Sequence, residues 1–172
     1  MPETSRTIAL ADCIDRLNAA IGRTVAWTCL LVVVVQFTVV VMRYVLGLGS
    51  IWLTETIIYG HATLFMLASA WTLREGGHVR VDIFYADAGP RRRALVDLCG
   101  ALLLLLPFML VLLWFAVPYV ARSWAIWETS RETSGLPAVY LLKTLIPLFA
   151  LLMALQGIAQ AIRAAHILRG AR

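Results

Sequence analysis

Charge is what this sequence has least of: 15% of its 172 residues are Asp, Glu, Lys or Arg, against 61% hydrophobic. A soluble domain of this length cannot bury so large an apolar share, which excludes water as the main solvent of the chain. Cysteine is also scarce. The three present, Cys13, Cys29 and Cys99, are odd in number and have no metal-ligand spacing, which argues against a disulfide framework or a zinc site. Cys29 and Cys99 fall at apolar positions and are read as small core residues. Of the three histidines, only His61 falls inside an apolar run, so a bis-histidine haem lacks its second ligand. No loop is long enough for a soluble catalytic domain, and the chain is read as a non-enzyme with no cofactor of its own. The net charge of +5 does not indicate nucleic acid, because the basic residues flank the apolar runs instead of forming a face. A cleaved signal peptide is a poor description of the first run, since a polar, amphipathic stretch precedes it and Arg43 follows it at once; the segment is expected to stay in the mature protein.

What is present in quantity is uninterrupted apolar sequence. Four stretches lack charge, at 25–42, 56–72, 98–121 and 144–162, each near the roughly 20 residues that a helix needs to cross about 30 Å of hydrocarbon. Runs such as "LLVVVVQFTVVVM" do not alternate apolar with polar residues, which favours helices over barrel strands. The expected fold is an all-α integral membrane protein of one domain, 1–172, with spans near 24–43, 52–73, 97–121 and 140–163. Arg6, Arg16 and Arg23 precede the first span, five arginines lie between the second and third, and Arg163, Arg169 and Arg172 follow the fourth. The intervening loops hold only Arg43, Arg122, Arg131 and Lys143. Positively charged short loops stay in the cytoplasm, so both termini are expected there. In 7–23, Ile8, Leu10, Ile14, Leu17 and Ile21 recur at helical spacing, with Asp12, Asp15, Arg16 and Asn18 on other faces. This predicts an amphipathic helix along the inner membrane surface, the alternative being a plain extension of the first span.

Polar groups inside the apolar runs are few, and a bilayer makes each one costly. Glu55 opens the second span, and His61 follows six residues later, about 9 Å further along and at roughly 240°, so the two share no face and form no relay. Glu55 is read as an interfacial carboxylate paired with Arg43 or with a partner's cation, the alternative being a coupling-ion site. His61, Gln36, Gln156 and Gln160 are expected to hydrogen-bond between helices. Pro107, Pro118 and Pro147 can bend helices, but no pair of broken helices marks a substrate site at the midplane. In the loop "LREGGHVRVDIFYADAGPRRR", Gly76 and Gly77 stop the second helix, and Val79, Val81 and Ile83 alternate with charge as in an extended or interfacial stretch. Arg91–Arg93 then form a basic entrance to the third helix, an anchor to anionic membrane lipid.

Several ordered blocks resemble the small membrane (Q) subunit of TRAP transporters, the tripartite ATP-independent periplasmic systems of bacteria and archaea. They are "RYVLG" (43–47), "WLTE" (52–55), "REGGHVRVDIFY" (74–85), "ETSGLP" (132–137), Lys143 and "LQG" (155–157). The resemblance covers about residues 10–165, and the glycine-histidine-valine block is its most specific part. It implies a bacterial inner-membrane subunit that acts as a fixed scaffold. Its partners would be a large multi-span permease carrying substrate and sodium and a periplasmic substrate-binding protein, for sodium-gradient-driven symport of an organic acid. It further implies that Arg43, Tyr44, Gly47, Trp52 and Glu55 form an outer motif, fixing the first hairpin or holding the large subunit, with Trp52 as an interface anchor. Arg74, Gly76, Gly77, His78 and Asp82 would shape the cytoplasmic turn. Two readings from other classes stand beside it: a self-sufficient proton-coupled exporter using Glu55, and the membrane anchor of a respiratory enzyme binding quinone or haem near His61.

Overall fold

The computed structural model describes residues 2–78 and 88–170. Within them the chain forms four long helices and no strand: α1 (Pro2–Tyr44), α2 (Ile51–Arg74), α3 (Pro90–Ala125) and α4 (Val139–Gly170). All four are long and apolar enough to cross a membrane. Asp82, with Val79, Val81 and Ile83, lies outside the described residues.

The helices start and stop where local chemistry requires. Ser50 caps α2 by accepting from the Leu53 N–H. At the other end, Gly76 sits at φ +70°, its N–H reaching Leu73 O at 3.1 Å, while the Gly77 N–H reaches Thr72 O at 2.9 Å. These paired bonds are a Schellman ending, which needs a residue free to adopt left-handed φ. Gly47 likewise adopts a left-handed φ, +69°, in the α1–α2 turn. Pro90 enters α3 at its first position, where its missing N–H costs nothing.

Small residues let the helices approach closely, as membrane packing requires. A Cβ on Gly60 would lie 2.7 Å from Val32 Cγ2, and one on Gly22 would lie 2.6 Å from the Trp71 ring, so α1 and α2 run antiparallel in tight contact. Helix α4 is the central element, packing against the other three. In its most apolar stretch 44% of residues are buried, against 6% in each of α1 and α2. The core is therefore built mainly on α4: Ala150, Leu152, Met153 and Ala154 pack with Ala70 of α2 and Met109 of α3. A second cluster joins Ala159 to Ala11 and Ile14 of α1. Both chain termini consequently lie at one end of the bundle, here the terminal end; the α1–α2 turn marks the other, the turn end.

Helix α3 is not uniform. Between Gly100 and Leu105 it widens into π-helical turns, with the Leu106 N–H bonded to Ala101 O. Pro107 follows directly. It has no N–H for the carbonyl four residues back and its ring would collide with that carbonyl, so a wider turn relieves the conflict.

Two expectations need correcting, and the 7–23 segment takes one of its two expected forms. Cys29 and Cys99 are exposed, not core; in a membrane chain an apolar position can face lipid or a partner as readily as the interior. The 7–23 segment runs into the first span as one helix, the form of a plain extension; Asp15 and Asn18 are buried in the bundle while Leu10 and Leu17 are 53% and 47% exposed. Gln36 and His61 make no hydrogen bond to a neighbouring helix among the described residues; both are exposed, and His61 stacks on Phe65 at 6.3 Å.

Candidate functional site: polar junctions at both ends of the bundle

At the turn end, Glu55 stands just past the first turn of α2, the helix that Ser50 caps. Its carboxylate does not pair with Arg43. It accepts from the Ser130 hydroxyl through one oxygen and from the Leu136 backbone N–H through the other, tying α2 to the loop between α3 and α4. Gly135 makes this fit possible, because a Cβ there would lie 2.5 Å from Ser130 Cβ and 2.7 Å from Glu55 Oε1. The "WLTE" and "ETSGLP" blocks, about eighty residues apart in the chain, thus meet around one carboxylate. Arg43, in the last turn of α1, instead lines a small cleft with Ser50 and Thr54. Tyr44 is 81% and Trp52 51% exposed.

A second carboxylate orders the same loop. Glu128 accepts from Lys143 Nζ and, at 2.6 Å, from the Ser123 hydroxyl, joining the end of α3 to the start of α4. The Lys143 bond, then the Ser123 bond, hold its carboxyl below the usual carboxylate range. Lys143 also lies 4.4 Å from the centre of the Tyr119 ring. Trp124, Trp127 and Tyr140 stack edge-on, with ring centres 4.6–5.6 Å apart, and the Trp124 indole N–H donates to Thr144 Oγ1 at 2.9 Å. Trp127 adopts φ 48°, uncommon for a bulky residue, inside this aromatic cluster.

At the terminal end, polar side chains of three helices interlock. Asn18 Nδ2 donates to Gln156 Oε1 at 2.7 Å, and Gln156 Nε2 donates to Asp15 Oδ1 at 2.9 Å. Arg163 bridges Asp12, at 2.8 Å, and Asp15, while Arg74 lies 3.7 Å from Asp15 and 2.8 Å from Glu75. Gln160 donates to Leu73 O at 3.3 Å. Gly76, Gly77 and the exposed His78 follow Arg74 in the turn. Sequence reasoning reached Gln156 and Gln160 but missed Asp15, Asn18 and Arg163 as partners. The available signal was spacing: Ala11, Asp15, Asn18 and Gly22 recur at four, three and four residues, one helical stripe of small and polar groups.

The two junctions contain hydrogen bonds and ion pairs that fix helices to one another. Among the described residues, no three of the His, Cys, Asp or Glu side chains gather in a metal-binding group. The carboxylates of Glu55, Glu128 and Asp15 are engaged by donors of the same chain. Such a molecule is a polytopic helical membrane protein whose helices are bolted together at both ends.

The family follows from comparison. The family model for "Tripartite ATP-independent periplasmic transporters, DctQ component" matches residues 15–166, and the chain belongs to that family of TRAP small membrane subunits. No curated protein and no solved structure gives a significant match.

Proposed function

We propose that this chain is the stationary wall of a TRAP-type secondary transporter, against which a large permease subunit carries an organic acid and sodium after delivery by a periplasmic binding protein. Both termini face the cytoplasm, in line with the excess of arginine at the terminal end, and the two junction loops at the turn end face outward. The chain contributes no catalysis.

The observation that carries this reading is the bare outer face of α1 and α2. Only 6% of the most apolar stretch of each is buried within the chain, and two strongly polar side chains, Gln36 and His61, are exposed there. With Gly60 set against Val32 and Thr28, helical phase puts both side chains on the same side of the α1–α2 contact. Lipid tails cannot satisfy an amide and an imidazole at membrane depth; a neighbouring transmembrane helix can. A self-sufficient exporter built on Glu55 fits less well, because both carboxylate oxygens are already bound within the chain.

The test is the double substitution Gln36→Leu/His61→Leu, with the large subunit tagged and co-purified. Against lipid, leucine improves the surface; against a partner, it removes hydrogen bonds worth about 0.6–1 kcal/mol each. The expected result is about a tenfold loss of association, with substrate uptake falling alongside. Association unchanged or strengthened would overturn this assignment of the face.

A further inference from the structure

At the terminal end, the start of α3 and the end of α4 flank an open cavity of about 870 Å³ lined by Arg91, Arg92, Leu95, Leu168 and Arg169. Three exposed arginines from two helices line it, and among the described residues none of the three has an anionic partner. A cluster of like charges without a counter-charge of its own attracts an anion. The contrast with the adjoining groove is informative: that one is lined by Arg93, Asp97 and Arg163 and so brings its own carboxylate.

Two further features have the same sign. Arg91 and Arg92 lie in the first turn of a long helix whose cap, Gly89, supplies no side chain to the first N–H groups. Those N–H groups and the helix dipole favour an anion. Leu95 and Leu168 give the cavity an apolar wall beside the charges, which suits a ligand with a charged head and a hydrocarbon body.

We propose that this cavity is a binding site for the phosphate headgroup of an anionic phospholipid, gripped by Arg91, Arg92 and Arg169, with its acyl chains running along Leu95 and Leu168. Guanidinium groups bind phosphate through paired N–H donors, and several converging on one headgroup make a site instead of a diffuse attraction. The site belongs to the chain itself and does not depend on the large permease.

The experiment uses the full chain in neutral detergent, delipidated and then offered phosphatidylglycerol or phosphatidylcholine, with retained lipid counted by native mass spectrometry. The chain is expected to retain phosphatidylglycerol at least tenfold better. Each single Arg→Gln change at 91, 92 or 169 is expected to weaken retention about fivefold. Arg122→Gln, an equal loss of charge at the turn end, should leave it unchanged. Circular dichroism of the triple variant separates loss of the site from loss of the fold, and the triple Arg→Lys variant should keep much of the binding. Equal retention of the two lipids, or equal effects of Arg122→Gln and Arg91→Gln, would overturn the proposal. Competition by inorganic phosphate or glycerol phosphate at concentrations matching the lipid would overturn its lipid part, making the cavity a soluble-anion site.

Discussion

A carboxylate close to hydrocarbon is stabilised by donors that cannot move away, and Glu55 has one on a loop side chain and one on the loop backbone. Glu55→Ala leaves the Leu136 N–H without its acceptor, at a cost of about 1–3 kcal/mol, and thermal unfolding in detergent should show it. An unshifted transition would mean that the loop is held elsewhere. Glu128 adds a pH signature. Its carboxyl is held below the ordinary value of 4.5 by Lys143 first and Ser123 second. A folded-state value below the unfolded one stabilises the fold at any pH above the ordinary value. That contribution disappears as pH falls through the lowered one. Between about pH 5 and pH 3 the unfolding temperature of the wild type should therefore fall more steeply than that of Glu128→Gln; parallel slopes would refute this. In the sequence, Glu55 stood out as a lone acid beside an apolar run. Its partners did not, because Ser130 and the Leu136 N–H are ordinary loop groups whose importance arises only when α2 and the α3–α4 loop meet in space.

At the level of elements, the instructive place is where α3 crosses α4. Gly157 admits Leu105, whose Cδ2 would lie 2.9 Å from an added Cβ, at the last residue of the π-helical stretch. Gly157→Leu should push the two helices apart and destabilise the chain by about 1–3 kcal/mol, and Leu105→Ala in the same chain should recover part of that loss. Simple additivity in the double variant, read by thermal unfolding, would contradict direct contact. The prolines and the "LQG" block were legible beforehand, and so was the α2 ending at Gly76. The π-helical register was not. A run reading "ALLLLLP" is apolar on every side, so its periodicity carries no phase from which a one-residue slip could be read.

For the whole molecule, the count of long apolar helices and their order were already plain in hydropathy, since four charge-free runs leave little freedom. Which helix forms the hub was not. Helix α4 is no more apolar than α1 or α3; it is central because its small residues, Ala150, Ala154, Ala159 and Ala161, let neighbours approach from several sides. The same ambiguity misplaced Cys29 and Cys99: apolar sequence signals the membrane, and does not separate its lipid from its protein.

As one unbroken rod of 43 residues, α1 measures about 64 Å, roughly twice the hydrocarbon thickness of a bilayer. It cannot slide to suit its surroundings, because Asp15, Asn18, Gln156, Arg74 and Arg163 lock it to α2 and α4. A thicker or thinner membrane is then met by tilting all four helices as one plate. Acyl-chain length thereby becomes a dial on the height and slant at which this plate presents its outer face.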